Sequence, residues 1–308
     1  MSVIRACVLG SINYDCVATV ERLPVIGETI LGTSFKTFVG GKGANQAVQL
    51  SLLGAEVAFF GKIGLDDIGE TLRKGLVHKN IDIRHLYIDE KSHSGSCSIH
   101  VDRSGYNTIV YVPGSNTKIC KQDIDDAMDI IASSDVFITQ NEVNLDMVNY
   151  ALKKAKDYGV TTILNPAPFT KLPVEIYQYI DYIIPNETEA ACYSGISVRD
   201  DLQAAVNWFT EKGVKNVIIT LGEDGAYFSN CNQAIAVPAF KVKAVDTTAA
   251  GDAFIGGFAF ELMTFGGIKR ALTFGNACGA LAASREGAQA SLADRVSVDE
   301  FLLTAKSN

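Results

Sequence analysis

Short apolar runs alternate with helix-periodic segments along most of the chain. Residues 4–9, 57–63 and 136–139 predict buried strands, because these runs are short and predominantly apolar. Residues 68–79 and 145–158 have apolar positions at the spacing of a helix with one buried face. This alternation is typical of an α/β protein, in which helices flank a doubly wound, mostly parallel sheet.

The same pattern extends through the rest of the chain. Further strands are predicted at residues 84–88, 161–164, 182–184 and 217–221, followed by a hairpin around residue 230. Further helices are predicted at residues 40–54, 123–132, 201–212, 268–286 and 298–305, with two more that start within 185–190 and at 253.

Two segments depart from the alternation and predict a second, smaller sheet. Residues 16–20 and 30–39 resemble strands with no helix between them, and residues 95–112 alternate apolar and polar positions as a hairpin does. We therefore expect a single domain over residues 1–308, with the strands of a lid inserted at about residues 15–39 and 95–112.

The amino-acid composition predicts a large apolar core and an acidic surface. Apolar residues make up 47% of the 308 positions, which suffices for a substantial core. The formal net charge is −8 and no polybasic run occurs, so neither nucleic acid nor an anionic membrane is an expected partner. No apolar segment has the length needed to cross a bilayer, and the first residues predict a strand and not a signal peptide.

The seven cysteines are scattered and form no CxxC pair. Free thiols of this kind are typical of the reducing cytoplasm, so we expect a cytoplasmic protein. The four histidines have no metal-ligand spacing, and a histidine-based metal site is not expected.

The segment with the clearest chemistry spans residues 242–258 and has the sequence VKAVDTTAAGDAFIGGF. Ala249, Ala250 and Gly251 are small residues at a predicted helix start, where unpaired N–H groups and the helix dipole favour a bound phosphate. Asp252 lies in the same turn and can accept a proton from a group that attacks that phosphate. Such a segment is also a common helix cap, so the segment alone leaves both interpretations open.

Three familiar motifs are absent. The segment GGKGAN at residues 40–45 is not a P-loop, because Gly43 and not Ser or Thr follows Lys42. It is not a dinucleotide fingerprint either, because Gln46 stands where a third glycine is needed. No GxSxG elbow of a serine hydrolase occurs.

Several short motifs occur in an order that covers nearly the whole chain. They are GSINYD, GGKGANQAV, NPAP, PNETEA, TLGEDG, DTTAAGDAF and GAQ, which begin at residues 10, 40, 165, 185, 220, 246 and 287. In this order the chain resembles the phosphofructokinase-B superfamily of sugar and nucleoside kinases, and within it the ribokinase family. The resemblance implies a ribokinase-like α/β fold with a small β-sheet lid, and ATP-dependent phosphorylation of a sugar, most simply D-ribose.

On the sugar side, the resemblance implies contacts from two loops and a separate carboxylate. The implied substrate-binding residues are Asn13, Asp15, Gly41, Lys42, Gly43, Ala44, Asn45, Glu142 and Asp252. A fixed carboxylate such as Asp15 can bind the vicinal hydroxyls of ribose, and glycine at Gly41 lets backbone N–H groups approach sugar oxygens. Turn chemistry at Asn13 and Asp15 and tight packing at the glycines are the structural alternatives.

On the phosphoryl-donor side, the resemblance implies a nucleotide site for ATP. The implied residues are Asn186, Glu189, Thr220, Leu221, Gly222, Glu223, Asp224, Gly225, Gly251 and Asn276. Asn186 and Glu189 are implied to organise Mg²⁺ and its waters near the triphosphate, and Asn276 to contact adenine. For Asn186 and Glu189 the alternative is a helix cap with acidic residues in the first turn.

The resemblance also implies a K⁺ site beside the anion-binding turn. Its implied ligands are Asp246, Thr248, Ala282, Arg285, Gly287 and Ser291, several of them through backbone oxygens. Oxygen ligands of this type suit a hard cation.

The implied reaction is in-line attack of O5 of ribose on the γ-phosphate of ATP, with Asp252 as the base and the amides of Ala249, Ala250 and Gly251 as an anion hole. We expect the helix N-terminus to hold Asp252 ionised. We also expect helical or extended backbone at Ala249, because alanine disfavours a positive φ.

Exposed edges of a small lid sheet favour a homodimer in which two lids pair. Deoxyribose, another pentose, a ketohexose or a nucleoside are alternative acceptors. A sugar-binding relative without catalytic activity is the alternative to an enzyme.

Overall fold

The computed structural model describes residues 3–305, and within them the strands form two separate sheets. In chain order the strands are β1 (Arg5–Leu9), β2 (Asn13–Val20), β3 (Gly32–Gly40), β4 (Glu56–Gly64), β5 (Leu86–Asp89), β6 (Gly95–Asp102), β7 (Asn107–Val112), β8 (Val136–Gln140), β9 (Thr161–Asn165), β10 (Tyr182–Ile183), β11 (Asn216–Thr220), β12 (Ala226–Asn230) and β13 (Ala234–Val237).

The helices lie between and after these strands. In chain order they are α1 (Lys42–Leu52), α2 (Asp67–His78), α3 (Lys121–Asp126), α4 (Met128–Ser133), α5 (Leu145–Asp157), α6 (Glu187–Ser194), α7 (Leu202–Glu211), α8 (Ala250–Phe265), α9 (Ile268–Ala283) and α10 (Arg295–Ala305). No helix within residues 3–305 is long and apolar enough to cross a membrane.

The large sheet confirms the predicted α/β architecture. Its strand order is β13-β12-β11-β10-β9-β8-β1-β4-β5, and every pairing from β11 to β5 is parallel. The strands β12 and β13 form an antiparallel edge beyond β11. The sheet is therefore mostly parallel, and its polar loops meet at the carboxyl ends of the strands.

Burial on both faces explains why the central strands are apolar throughout. In β1, Ala6 and Val8 pack into a core with α1, α8 and α9. Their neighbours Cys7 and Leu9 point the other way, into a core with α5 and α7. Alternate residues of one strand thus fill two layers, which leaves no polar position between Ala6 and Leu9.

The second sheet confirms the prediction of a smaller sheet without crossover helices. Its order is β3-β2-β6-β7, with β2 and β6 parallel and the two outer pairs antiparallel. β2 follows β1 after three residues, and β3 ends at Gly40, just before α1 begins at Lys42. The small sheet is thereby anchored to the large one at the carboxyl end of β1.

One predicted helix is wrong in detail. The segment predicted as one helix over residues 123–132 forms two short helices, α3 and α4, which meet at Ala127. Ala127 has φ −93° and ψ 7°, outside regular helical geometry, although its side chain is fully buried. The apolar spacing continues across this break, so the pattern alone does not reveal it.

Candidate active site

A cavity of about 200 Å³ opens at the carboxyl ends of the central strands. It is lined by Lys42, Asn165, Ala167, Ile184, Asn186, Glu189, Thr220, Thr247, Ala249, Gly251, Asp252 and Ile255. These residues lie at or just after the ends of β9, β10 and β11, and at or just before the starts of α1, α6 and α8. This edge is where open α/β sheets bind their ligands.

Asp252 lies on the wall of this cavity and is held in one orientation. It belongs to the first turn of α8 and is 7% exposed. Its Oδ2 accepts a hydrogen bond from Asn45 Nδ2 at 2.9 Å, and its Oδ1 accepts one from Gln46 Nε2 at 2.9 Å. Gln46 is fixed in turn, because Gln140 Nε2 donates to Gln46 Oε1 at 2.7 Å.

Burial dominates the electrostatics of Asp252. It raises the pKa of that carboxyl, and the nearby Lys42 charge and the two amide hydrogen bonds offset only part of the effect. The helix N-terminus therefore does not hold the pKa of Asp252 low, contrary to the expectation from the sequence. A buried carboxyl of this kind is ionised less readily than an ordinary aspartate.

Lys42 contributes a positively charged side chain to the cavity. Burial lowers its pKa, but attraction to Asp252, Glu142 and Glu189 outweighs burial, and the net pKa is raised. The ammonium group therefore stays charged among three carboxyl groups, and it compensates part of their negative charge.

The turn before α8 corrects the backbone prediction for Ala249. Ala249 has φ 60° and ψ 5°, a left-handed conformation, and not the expected helical or extended geometry. Ala249 lies between a turn and the helix. The turn is closed by Ala250 N–H, which donates to Thr247 O at 3.2 Å, and the helix begins with Ala253 N–H, which donates to Ala249 O at 2.8 Å. The reversal between turn and helix overrides the preference of alanine, at a cost of roughly 1–2 kcal/mol.

The same turn bears on the implied anion hole. The first N–H groups of a helix have no partner within it, so in α8 they bond to the preceding turn or are free for a ligand. The N–H of Ala250 already donates to Thr247 O, while Ala249 and Gly251 line the cavity directly.

Three loops converge on the implied sugar side. Glu142, after β8, accepts hydrogen bonds from Ser11 Oγ and from Lys42 N at 3.3 Å. Asn13 Oδ1 accepts a hydrogen bond from Asn116 Nδ2 at 2.8 Å. The ends of β1, β3 and β8 are thus tied together by polar contacts.

Asp15 is half-buried, and its Oδ1 is shielded from solvent without a hydrogen-bond partner among the described residues. Burial raises its pKa, the Cys97 thiol lowers it and the Glu142 charge raises it further. A buried acceptor without a partner is costly, so this oxygen fits a site that a ligand hydroxyl completes.

Close packing constrains both glycines at the end of β3. A side chain at Gly40 would place its Cβ 2.4 Å from Asp15 Oδ2. Gly41 has φ 92°, and a Cβ there would lie 2.7 to 2.9 Å from the backbone of residues 11–13. Beyond it, Gly43 lies against the backbone of Gly10, and buried Ala44 donates its N–H to Ser11 O at 3.0 Å.

Asn186 and Glu189 form the helix cap weighed for them and also reach the cavity. Asn186 Oδ1 accepts from Glu189 N at 2.8 Å, and Glu189 Oε2 accepts from Asn186 N at 2.9 Å, which is a reciprocal cap on α6. Both side chains also line the cavity with Asp252. Burial raises the pKa of Glu189, with opposing contributions from the Asn186 backbone and Lys42.

The loop after β11 forms a tight turn. Thr220 lines the cavity, and Leu221 N–H donates to Gly225 O at 2.8 Å across the turn that contains Gly222, Glu223 and Asp224. Asn276, the residue implied to contact adenine, is largely buried. It is 7% exposed, and its Nδ2 donates to the carbonyls of Val237 and Pro238, both at 3.1 Å.

Asp246 organises the segment implied to hold K⁺. Its Oδ1 accepts from Thr248 N at 2.9 Å and Thr248 Oγ1 at 2.6 Å, and its Oδ2 accepts from Gly287 N at 3.0 Å. Arg285 N–H donates to Ala282 O at 3.1 Å, and Ser291 Oγ donates to Ala288 O at 2.7 Å. The structure thus brings residues 246–248 against residues 282–291.

Sequence reasoning did not single out several polar residues of this network. They are Ser11, Gln46, Asn116, Gln140 and Asn165, which fix the other side chains in place. Ser11 follows β1, and Gln140 and Asn165 end β8 and β9. A polar residue at the carboxyl end of a buried strand is the sequence feature that could have identified these three as site residues.

Comparison with known proteins identifies the family. The model of the "pfkB family carbohydrate kinase" matches residues 3–295. A ribokinase of Haemophilus influenzae is 40% identical over 297 residues, which cover 96% of this chain and 97% of that protein. A deoxyribokinase of Salmonella typhi is 33% identical over 298 residues, which cover 96% of this chain and 97% of that protein. The solved structure of an Arabidopsis thaliana ribokinase "complexed with Ribose and ATP" has a TM-score of 0.92 and 29% identity, and the match covers 98% of this chain and 99% of that one. The chain therefore belongs to the pfkB family of carbohydrate kinases.

Proposed function

We propose that this protein is an ATP-dependent ribokinase, which transfers the γ-phosphoryl group of ATP to the O5 primary hydroxyl of D-ribose. The observation that carries the proposal is Asp252, a buried carboxyl in the first turn of a helix, fixed by two amides on the wall of a cavity. A hydroxyl nucleophile and a phosphoryl group both fit such a turn. The kinship with ribokinases supports ribose as the acceptor.

In the proposed mechanism, Asp252 accepts the proton of O5 as the bond from O5 to phosphorus forms. The bond from phosphorus to the bridging oxygen of ADP breaks in the same step, and ADP leaves. Because phosphoryl transfer has a loose transition state, O5 needs little prior deprotonation. A carboxyl whose pKa is raised by burial is a stronger base than an ordinary aspartate once ionised.

The amides of Ala249, Ala250 and Gly251 are proposed to bind charge that develops on the transferring group. The cavity-lining positions of Ala249 and Gly251 support this role best, since the N–H of Ala250 has a backbone partner. Amides fixed in a helix turn need no rearrangement during the reaction, which is the basis of this type of stabilisation.

Two cations fit the residues present. Asn186 and Glu189 offer oxygen atoms on the cavity wall, which suits Mg²⁺ held near phosphates through waters. When bound, Mg²⁺ supplies charge neutralisation of the phosphate oxygens. For K⁺, the Asp246 carboxylate, the Ser291 hydroxyl oxygen and the nearby carbonyls are the proposed donors, and Thr248 and Gly287 position that carboxylate.

We propose further that residues 1–308 form one ribokinase-like domain whose small sheet is a lid. Its outer strands β3 and β7 expose apolar side chains, among them Phe35 at 66% and Val110 at 61%. Exposed edges and apolar residues together favour pairing of two lids in a homodimer.

The oligomeric state tests this pairing. Light scattering after size-exclusion chromatography should give about twice the chain mass of 33.1 kDa. Val110→Lys should give monomers, whereas Val296→Lys, at an equally exposed valine of α10, should not. A monomeric wild-type protein, or identical behaviour of both variants, would contradict the lid dimer.

Deoxyribose is the second acceptor that a specific observation favours, because the Salmonella typhi relative is a deoxyribokinase. Coupled ADP release with ATP and ribose, 2-deoxyribose, a ketohexose or a nucleoside decides among the acceptors. The same assay with potassium or sodium salts tests the K⁺ site, for which equal rates would count against activation. Binding of ribose without ADP release would favour a relative without catalytic activity.

Location and other partners stay predictions. All seven cysteines are free in the structure, as a reducing cytoplasm favours. The acidic composition still argues against nucleic acid and anionic membranes as partners.

A further inference from the structure

One row of side chains crosses the small sheet on the same face as Asp15. Cys97 of β6 pairs directly with Asp15 of β2, and Tyr111 of β7 pairs directly with Cys97. Directly paired residues of neighbouring strands project from the same face of a sheet. Asp15, Cys97 and Tyr111 therefore point to one side, the side on which the loops of β1, β3 and β8 converge.

The hydroxyl group of Tyr111 has no partner there. Tyr111 as a residue is half-buried, but its hydroxyl oxygen is shielded from solvent and makes no hydrogen bond within the described residues. Tyrosine hydroxyls that are removed from water usually find a partner, because an unpaired one is costly.

The Asn116 side chain, which lies near this hydroxyl, is hydrogen-bonded to the loop after β1. Asn116 donates from Nδ2 to Asn13 Oδ1 at 2.8 Å and to Ile12 O at 3.3 Å, and its Oδ1 accepts from Ile12 N at 3.0 Å. Asn116 therefore holds the loop after β1. Burial and the Glu142 charge raise the pKa of Tyr111 and the Asn116 and Asn13 side chains lower it, so both amides lie near the hydroxyl, although neither meets hydrogen-bond geometry with it. Within residues 3–305 the Tyr111 hydroxyl is thus left without a hydrogen bond.

Other unpaired atoms belong to the proposed sugar side as well. Asp15 Oδ1 and Asn45 Oδ1 are likewise shielded from solvent without a partner. The charge of Glu142 raises the pKa of both Asp15 and Tyr111, after the larger effect of burial, which places both groups near the same carboxylate. A polyhydroxylated ligand is the class of molecule that supplies hydroxyls to several such atoms at once.

We propose that Tyr111 is a specificity residue of the sugar site, whose hydroxyl group pairs with one hydroxyl of the bound pentose and selects sugars that carry it. The inference rests on the proposed function, since it requires a sugar acceptor beside Asp15. A site built to pair a substrate hydroxyl discriminates against the analogue that lacks it, because its own polar group is then left unpaired.

The test combines one variant with a set of deoxy sugars. Tyr111→Phe removes a single oxygen, and KM and kcat are measured by ADP release with D-ribose, 2-deoxyribose, 3-deoxyribose and 1,4-anhydroribitol. We expect KM for ribose to rise by roughly 3- to 10-fold with kcat within about twofold, the size of one neutral hydrogen bond. For the one analogue that lacks the partner hydroxyl, wild type and variant should have the same KM.

Two controls separate this role from a structural one. Tyr106→Phe makes the same change at the turn of the same hairpin, where the side chain is 72% exposed, and should alter neither KM nor the melting temperature. The melting temperature of ligand-free Tyr111→Phe should be unchanged or higher, because the lost hydroxyl had no partner. A clear fall would show that the hydroxyl has a structural bond and would overturn the inference.

The kinetic outcomes are equally decisive. An unchanged KM for ribose, or an equal rise in KM for ribose and all three analogues, would overturn the role of Tyr111 while leaving the kinase intact. Failure of the wild-type protein to phosphorylate ribose would overturn the proposed function, and this inference with it.

Discussion

Replacement of Asp252 by asparagine tests the central chemical claim. The change removes the negative charge and converts one carboxylate oxygen into an NH₂ group. Loss of a positioned base costs roughly 10²- to 10⁴-fold in turnover, or about 3 to 5 kcal/mol of activation free energy. We expect kcat to fall by this factor while KM for ribose changes little.

The hydrogen bonds around the side chain of residue 252 determine whether Asp252→Asn stays folded. Gln46 should keep its amide orientation, because its Oε1 accepts from Gln140 Nε2 and its Nε2 also donates to Asn165 Oδ1 at 3.3 Å. Asn45 can turn its amide, because its Oδ1 has no partner in the described structure and would accept from the new NH₂ group. Lys42 retains the charges of Glu142 and Glu189. The melting temperature of Asp252→Asn should therefore lie within a few degrees of that of the wild type.

Steady-state ADP release, ribose titration and a thermal melt measure all three quantities on one preparation. Asp157→Asn, at an exposed position where α5 ends, provides the matched control and should behave as wild type. A kcat for Asp252→Asn within tenfold of wild type, in a folded protein, would refute the role of Asp252 as the base.

Two further predictions concern the same turn. Because burial raises the pKa of Asp252 and the base acts only when ionised, kcat/KM should rise with pH through an apparent pKa above the ordinary aspartate range, and an acid limb near pH 4 or lower would contradict this. Ala249→Gly should retain activity and change the free energy of unfolding by no more than about 1 kcal/mol, because glycine adopts φ 60° freely but loses more chain entropy on folding. Ala249→Val should lower both activity and stability, and equal behaviour of the two variants in denaturant titration and ADP release would show that the left-handed turn is not needed.

Much of the fold follows from local pattern. The strands β1, β4 and β8 are predicted because both of their faces are buried, which makes their residues apolar in succession. The small sheet is predicted because its strands lack helices between them. The break at Ala127 is not predicted, since the residue is apolar and buried in either arrangement.

The site is predicted in its parts but not in its connections. Asp252 stands out from its small neighbours in sequence, whereas its partner Gln46 lies 206 residues away. Contacts of this length depend on the strand order β8-β1-β4, which a single sequence does not specify. The positive φ of Ala249 is missed for the same reason, because the path of the chain between two distant elements outweighs the preference of one residue.

Three atoms at the proposed sugar site have no hydrogen-bond partner among the described residues: Asp15 Oδ1, Asn45 Oδ1 and the Tyr111 hydroxyl. They favour binding of a ligand at the expense of the stability of the ligand-free protein. The empty enzyme tolerates their unmet bonding capacity, so its resistance to heat and proteolysis should increase when substrate is supplied. Replacement of Tyr111 by phenylalanine would leave the ligand-free protein as stable or more stable, and would weaken its binding of sugar at the same time. Selection for thermal stability alone would therefore favour loss of this sugar-binding hydroxyl group.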